Sequence, residues 1–230
     1  MSRTGIRSGS GDDPHAGQVV RGAGPKVDEA AGVIVMIHGR GASAQSILGL
    51  YPELGIAELA AVAPQAAGQT WYPQSFLAPM EANQPYLDSA LRRIEAIVGD
   101  VMAGGVPSER IALLGFSQGA CLATEFVARH PRRYGAVLGL TGGLIGPAGT
   151  PRAYAGSLAG VPVFLGSGDP DPHVPFERVL ETEAVLARMG AAVEVRRYPG
   201  KPHTVNDDEL EACRALLRAM IAGPATGRRA

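Results

Sequence analysis

Ser117 has the clearest chemical context in the sequence. It stands in Gly115-Phe116-Ser117-Gln118-Gly119, directly after the apolar run Ile111-Ala112-Leu113-Leu114 and directly before a helical pattern. Gly-x-Ser-x-Gly at a strand-to-helix junction forms a sharp turn that exposes the serine Oγ at the tip of a sheet. A Cβ at either glycine would crowd that turn. The pattern alone is weak, since Gly and Ser are common, and a structural turn is its plain alternative. Such a serine becomes a nucleophile only beside a base that takes its proton and an acid that orients the base.

Both follow in the chain order Ser, acid, His that a sheet of this type uses. After an apolar run ending at Leu165 comes Gly166-Ser167-Gly168-Asp169-Pro170-Asp171-Pro172-His173-Val174-Pro175. After a second run ending at Tyr198 comes Pro199-Gly200-Lys201-Pro202-His203-Thr204. His203 is the candidate base, although a lone loop histidine is usually just solvated. Asp169 and Asp171 share one turn, and aspartates in Gly/Pro-rich turns often only cap them; the residues leave both open as the acid. His173 reads as a wall or solvent residue.

An oxyanion needs backbone N–H donors. One is expected from Gln118, after the nucleophile, and one from Arg40 in His38-Gly39-Arg40-Gly41-Ala42-Ser43, the loop after Val33–Ile37. Gly39-x-Gly41-x-x-Ala44 also matches a dinucleotide fingerprint. That fingerprint wants an acid at the end of the next strand, and Glu58 precedes that strand instead. The Arg40 guanidinium borders the site. It reads either as a solvent-facing space filler or as a fork for a substrate carboxylate or phosphate. Trp71, the only tryptophan, and Tyr72 lie in the loop 64–83 with Phe76. They read either as a loop packed by its own aromatics or as a wall of the substrate pocket.

Positioning these residues requires strands that alternate with helices. Val33–Ile37 is a continuous apolar β-branched run, typical of a strand buried on both faces. Strands are also expected at Gln18–Val20, Leu59–Ala63, Ile111–Leu114, Ala136–Leu140, Val161–Leu165 and Val193–Tyr198. Helices are expected from Ser43 as an N-cap, over Pro85–Met102, from Ser117 to Arg129, over Phe176–Met189 and over Asp207–Ile221. This order implies an α/β fold: a mostly parallel sheet with helices on both faces and sites at the carboxyl ends of the strands. Residues 1–17, rich in Gly, Ser and Asp, read as a frayed segment, 18–222 as one domain and 223–230 as a tail.

Composition narrows the function classes. A chain of 230 residues with 46% hydrophobic and 19% charged residues can bury one substantial core. A formal charge of −1 leaves no electrostatic footprint for nucleic acid. No apolar run is long enough for stable membrane insertion. The N-terminus lacks an apolar signal centre, so a cytoplasmic location is expected. Cys121 and Cys213 form no Cys-x-x-Cys pair and fall on apolar helix faces, which predicts buried thiols. A homodimer is compatible with the sequence.

His38-Gly39-x-Gly41, Phe116-Ser117-Gln118-Gly119, Asp171-Pro172-x-Val174-Pro175 and Tyr198-x-Gly200-x-x-His203, in that order, resemble the phospholipase/carboxylesterase family of α/β-hydrolases. The resemblance covers roughly residues 33–222. It implies an α/β-hydrolase fold without a large lid and a serine esterase that needs no cofactor and no metal. It maps nucleophile, acid and base onto Ser117, Asp171 and His203, and a small-molecule ester becomes the expected partner. Thioesterase and lysophospholipase activities use the same machinery. A non-catalytic binding protein on this scaffold is the remaining alternative. The family often has Leu where this chain has Arg40, which puts a lipid-like substrate in doubt.

Overall fold

Six consecutive apolar residues in one strand require a core on each side of the sheet. The computed structural model describes residues 13–223 and contains a seven-stranded sheet. In chain order the elements are β1 (Val20–Ala23), β2 (Gly32–Ile37), α1 (Ala44–Ile47), α2 (Tyr51–Leu54), β3 (Leu59–Pro64), α3 (Tyr86–Ala103), β4 (Ile111–Phe116), α4 (Gln118–Arg129), β5 (Ala136–Leu140), β6 (Pro162–Asp169), α5 (Phe176–Arg188), β7 (Ala192–Pro199) and α6 (Asp207–Ala222). The strand order is β1-β3-β2-β4-β5-β6-β7. β1 runs antiparallel to β3, and every other pair is parallel.

Successive strand side chains point to opposite faces, and β2 uses both. Val33, Val35 and Ile37 pack in a cluster with Ile94 of α3 and Phe126 of α4. Ile34 and Met36 pack in a second cluster with Ile47 of α1 and Leu217 of α6. Each such side chain, fully buried, contributes about 1.5–3 kcal/mol. The β7 edge instead alternates partly exposed and exposed residues. Its Glu194, Arg196 and Arg197 discourage edge-to-edge pairing.

The expected strands and helices form, with shifted ends. β4 and β6 run past the apolar runs, up to the candidate nucleophile and acid turn. The helix capped by Ser43 is short: Ser43 and Ser46 form a reciprocal capping box, and α1 already ends at Ile47. The edge strand begins at Val20, where the expected one ends.

The reading of residues 1–17 as frayed needs correction at its end. Asp13–Gly17 is folded against the domain, and His15 is fully buried. Gly/Ser/Asp composition describes an average and cannot reveal one anchoring side chain. Residues 1–12 and 224–230 lie outside the described residues.

The connection after β5, residues 141–161, is packed down. Glu125 of α4, itself buried, accepts from the Ile145 amide at 3.1 Å and from Arg129 at 2.6 Å. Arg178 of α5 donates to the Leu144 and Gly146 carbonyls. Ser117 itself stays partly exposed.

Candidate active site

The strand order reverses around β2, and the loops beyond the carboxyl ends of β2, β4, β6 and β7 meet there. Ser117 follows β4 with φ 55° and ψ −120°, a left-handed conformation for a residue with a side chain. Such strain costs about 1–3 kcal/mol and turns the chain directly into α4. The approach is close: a Cβ on Gly119 would collide with the Ile37 carbonyl, and one on Gly115 with the Gly119 carbonyl. These two contacts explain both glycines of the motif.

Ser117 Oγ lies 2.9 Å from His203 Nε2, and His203 Nδ1 lies 2.8 Å from Asp171 Oδ2. The Asp171 side chain is fully buried and its other oxygen accepts from the amides of His173 at 2.8 Å and Val174 at 2.9 Å. Burial alone would raise the Asp171 carboxyl. The hydrogen bonds from His203 and the two amides outweigh it and hold the carboxyl below its ordinary value. An ionised Asp171 only accepts. The imidazole proton therefore sits on Nδ1, and the bare Nε2 faces the serine hydroxyl. Asp169, the other acid of the turn, points elsewhere and pairs with Arg197 at 3.3 Å. His173 forms a wall, its ring edge-on to His203 at 4.8 Å between centroids.

Arg40 and Gln118 line a cavity of about 600 Å³ together with Ser117, His203, Tyr72 and Phe76. The neighbouring amides of Gly41 and Ala42 are engaged by the Gln69 and Gly39 carbonyls. The Gln118 amide opens α4, where an N–H has no intrahelical acceptor. An adjoining cleft of about 330 Å³, lined by Ile47, Leu50 and Val205, shares Phe116 and His203 with the cavity. A cavity of about 230 Å³ lies among Glu109, Arg133 and Met220 instead and is lined by no Ser, Cys or His.

What the sequence reading missed is the work of the Arg40 and Gln118 side chains. Arg40 Nη1 donates to Thr70 Oγ1 and the Pro73 carbonyl, and Nη2 to the Gln74 carbonyl, at 3.1, 2.8 and 2.5 Å. Three of its five N–H donors thus tie down the loop, so the guanidinium is neither a free fork nor mere filler. Gln118 Oε1 accepts from the Trp71 amide at 2.9 Å and its Nε2 donates to the Tyr72 carbonyl at 2.8 Å.

Tyr72 lines the cavity, as expected of a wall. Trp71 does not: it is fully buried behind that wall, and its Nε1 donates to the His38 carbonyl at 2.8 Å. Of the two readings for Trp71, the packed loop is the correct one. His38 is structural as well. Its Nε2 accepts from the Ala66 amide at 3.1 Å, so the ring proton is on Nδ1 and is donated to the Gly39 carbonyl at 2.8 Å. Burial holds this imidazole below its ordinary value.

Both cysteines are buried and free. Burial pushes the Cys121 thiol up to about 11 and the Cys213 thiol up to about 12. Among the described residues no three His, Cys, Asp or Glu side chains gather as metal ligands would, and no helix is long and apolar enough to cross a membrane.

Known proteins are similar to this chain in sequence and fold. A crystal structure of a phospholipase/carboxylesterase from Dyadobacter fermentans is 43% identical and superposes with a TM-score of 0.84, over 87% of this chain and 96% of that one. A probable carboxylesterase SOBER1-like of Arabidopsis thaliana is 26% identical over 61% of this chain and 55% of its own length. Acyl-protein thioesterase 1 of Gibberella zeae is 30% identical over 51% of each. The chain thus spans about half the length of these two relatives. A family profile described as Phospholipase/Carboxylesterase matches residues 24–221. With an α/β-hydrolase fold and a profile match over most of its length, the chain belongs to the phospholipase/carboxylesterase family.

Proposed function

We propose that this protein hydrolyses carboxylic esters through an acyl-enzyme on Ser117. The observation that carries the reading is the chain of two hydrogen bonds, 2.9 and 2.8 Å, from Ser117 through His203 to Asp171. Ser117 Oγ attacks the ester carbonyl carbon as its proton passes to His203 Nε2. The amides of Arg40 and Gln118 hold the oxyanion. Collapse expels the alcohol, which takes the proton back from His203. Water then enters, gives a proton to His203 and attacks the acyl carbon; collapse breaks the bond to Ser117 Oγ, which takes that proton from His203, and the acid leaves. Asp171 keeps Nδ1 protonated throughout and stabilises the imidazolium.

The cavity walls of Tyr72, Phe76 and Phe116 suit a short or medium acyl chain. Thioesters and lysophospholipids would enter the same machinery. A panel of p-nitrophenyl esters, acyl-CoA thioesters and lysophospholipids separates these classes, and a fluorophosphonate probe tests the nucleophile. The reading expects ester turnover and labelling confined to Ser117. No turnover on any class together with no labelling would overturn it.

A further inference from the structure

The family profile begins at residue 24, yet one side chain from before that point reaches the loop behind the site. His15 is fully buried and bonds that loop at two places. Its Nδ1 lies 3.1 Å from the Ala67 amide and its Nε2 lies 2.9 Å from the Trp71 carbonyl. An amide can only donate and a carbonyl can only accept, which fixes the tautomer: Nδ1 is bare and Nε2 carries the proton. Burial disfavours the imidazolium, and the Trp71 carbonyl and Asp13 only partly offset it.

The segment is itself held from α3. The Ser89 hydroxyl accepts from the His15 amide at 2.9 Å and donates to Asp13, and Arg92 pairs with Asp13 at 3.2 Å. The His15 ring rests against Trp71 and Tyr86 at 5.4 and 5.9 Å between centroids.

Trp71 joins this segment to the candidate oxyanion site. Its amide bonds the Gln118 side chain, its indole N–H bonds the His38 carbonyl, and its own carbonyl bonds His15. His38 lies two residues before Arg40. A shift of Trp71 therefore pulls on the side chain of Gln118 and on the peptide just before the one that carries the Arg40 amide. An oxyanion hole is sensitive to such shifts, because loss of one donor costs about 10²–10³ in kcat.

We propose that His15 is a positioning residue for ester hydrolysis: through Trp71 it sets where the Arg40 and Gln118 amides stand, which makes the segment Asp13–His15 part of the working site. This rests on the reading of Ser117 as the nucleophile. His15 touches no substrate, so its removal acts on transition-state stabilisation and leaves ground-state binding nearly unchanged.

The test compares wild type, His15→Phe, His15→Gln and Ser89→Ala. Phe fills the space and keeps neither bond. Gln keeps a donor for the Trp71 carbonyl. Ser89→Ala cuts the anchor from α3. In each variant the competent serine is titrated to its end point with a fluorophosphonate, and kcat is expressed per labelled Ser117. Emission of Trp71, the only tryptophan, reports the loop. The expected result is a kcat per labelled serine reduced about tenfold or more in His15→Phe with KM within about twofold. A smaller loss in His15→Gln and in Ser89→Ala, and altered Trp71 emission in His15→Phe, complete the expectation.

A purely structural role would lower the labelled fraction or the melting temperature and leave kcat per labelled serine at the wild-type value, and that result overturns the proposal. Should His15→Phe fail to fold, the same criterion applies to the two milder variants. A wild type that neither turns over esters nor labels at Ser117 would defeat the serine mechanism instead, so the two failures are told apart.

Discussion

Ser117, Asp171 and His203 reach one another through two hydrogen bonds, each from a turn that directly follows a strand. Residues 66–76, which line and back the same cavity, are held differently. Their partners come from the N-terminal segment (His15), the loop after β2 (His38 and Arg40), α4 (Gln118) and the turn holding Asn83, whose side chain accepts from the Gln74 amide at 2.8 Å. The first region gets its geometry from the sheet, and the Ser117 side chain there can change with little harm to the fold. The second has only the short 3-10 turn Ala67–Gln69 to satisfy its backbone. Side chains supply the missing hydrogen bonds, so stability and alignment reside in the same atoms.

Removing the nucleophile should have the largest effect and test the first half of this contrast. Ser117→Ala should lower kcat by several orders of magnitude while the melting temperature stays near wild type or rises, because Oγ supports no fold contact beyond His203. Steady-state kinetics and thermal unfolding check both parts. Substantial ester hydrolysis by a clean Ser117→Ala preparation would assign the chemistry elsewhere.

The acid turn comes next. Asp171→Asn should cost roughly 10⁴ in kcat, as loss of an orienting acid does in a serine protease, whereas Asp169→Asn should stay within about threefold, since an exposed ion pair contributes little. Equal losses would mean that the turn works as a unit.

Gln118→Ala probes the braced region. It keeps the backbone amide but leaves the buried Trp71 N–H without its partner and the Tyr72 carbonyl with the Thr70 hydroxyl alone. At about 1–3 kcal/mol for the orphaned N–H, the melting temperature should drop by roughly 2–12 °C, with a fall in kcat. If activity falls and stability does not, the comparison between the regions fails.

Asp171 also gives a pH signature. Its carboxyl is held below the ordinary value in the fold. The resulting stabilisation is present above the unfolded-state value, about 3.9, and disappears as pH falls through the lower folded value. The stability gap between wild type and Asp171→Asn should therefore narrow on acidification below about pH 4. Chemical denaturation at a series of pH values measures it, and a gap constant down to acid pH would contradict an ionised, hydrogen-bonded Asp171.

Arg40→Leu should have the smallest effect. The loop loses three exposed bonds, and kcat/KM should fall by no more than about tenfold, alike for neutral and anionic esters. A rise in KM confined to anionic esters would show that the two remaining N–H donors reach the substrate.

The contrast also explains what could be read from the sequence. Strand and helix order is written in local periodicity, and Ser117, Asp171 and His203 each follow an apolar run that announces a strand. Gln118 and Trp71 are 47 residues apart, and no periodicity links them. The sequence of Arg40 says that a cation borders the site, but not that carbonyls of the neighbouring loop already engage it. His15 sits in a stretch whose composition reads as loose, and only the folded loop supplies its two partners.

The buried cysteines have a practical consequence. Cys121 and Cys213 are both sealed in the core, and their thiols resist ionisation at neutral pH, so alkylating reagents should pass them by in the folded state. A single cysteine placed on the surface, for example at exposed Gln74 on the cavity rim, would then be the fast-reacting thiol of the described domain. Fluorophores or spin labels could be attached there without first building a cysteine-free background.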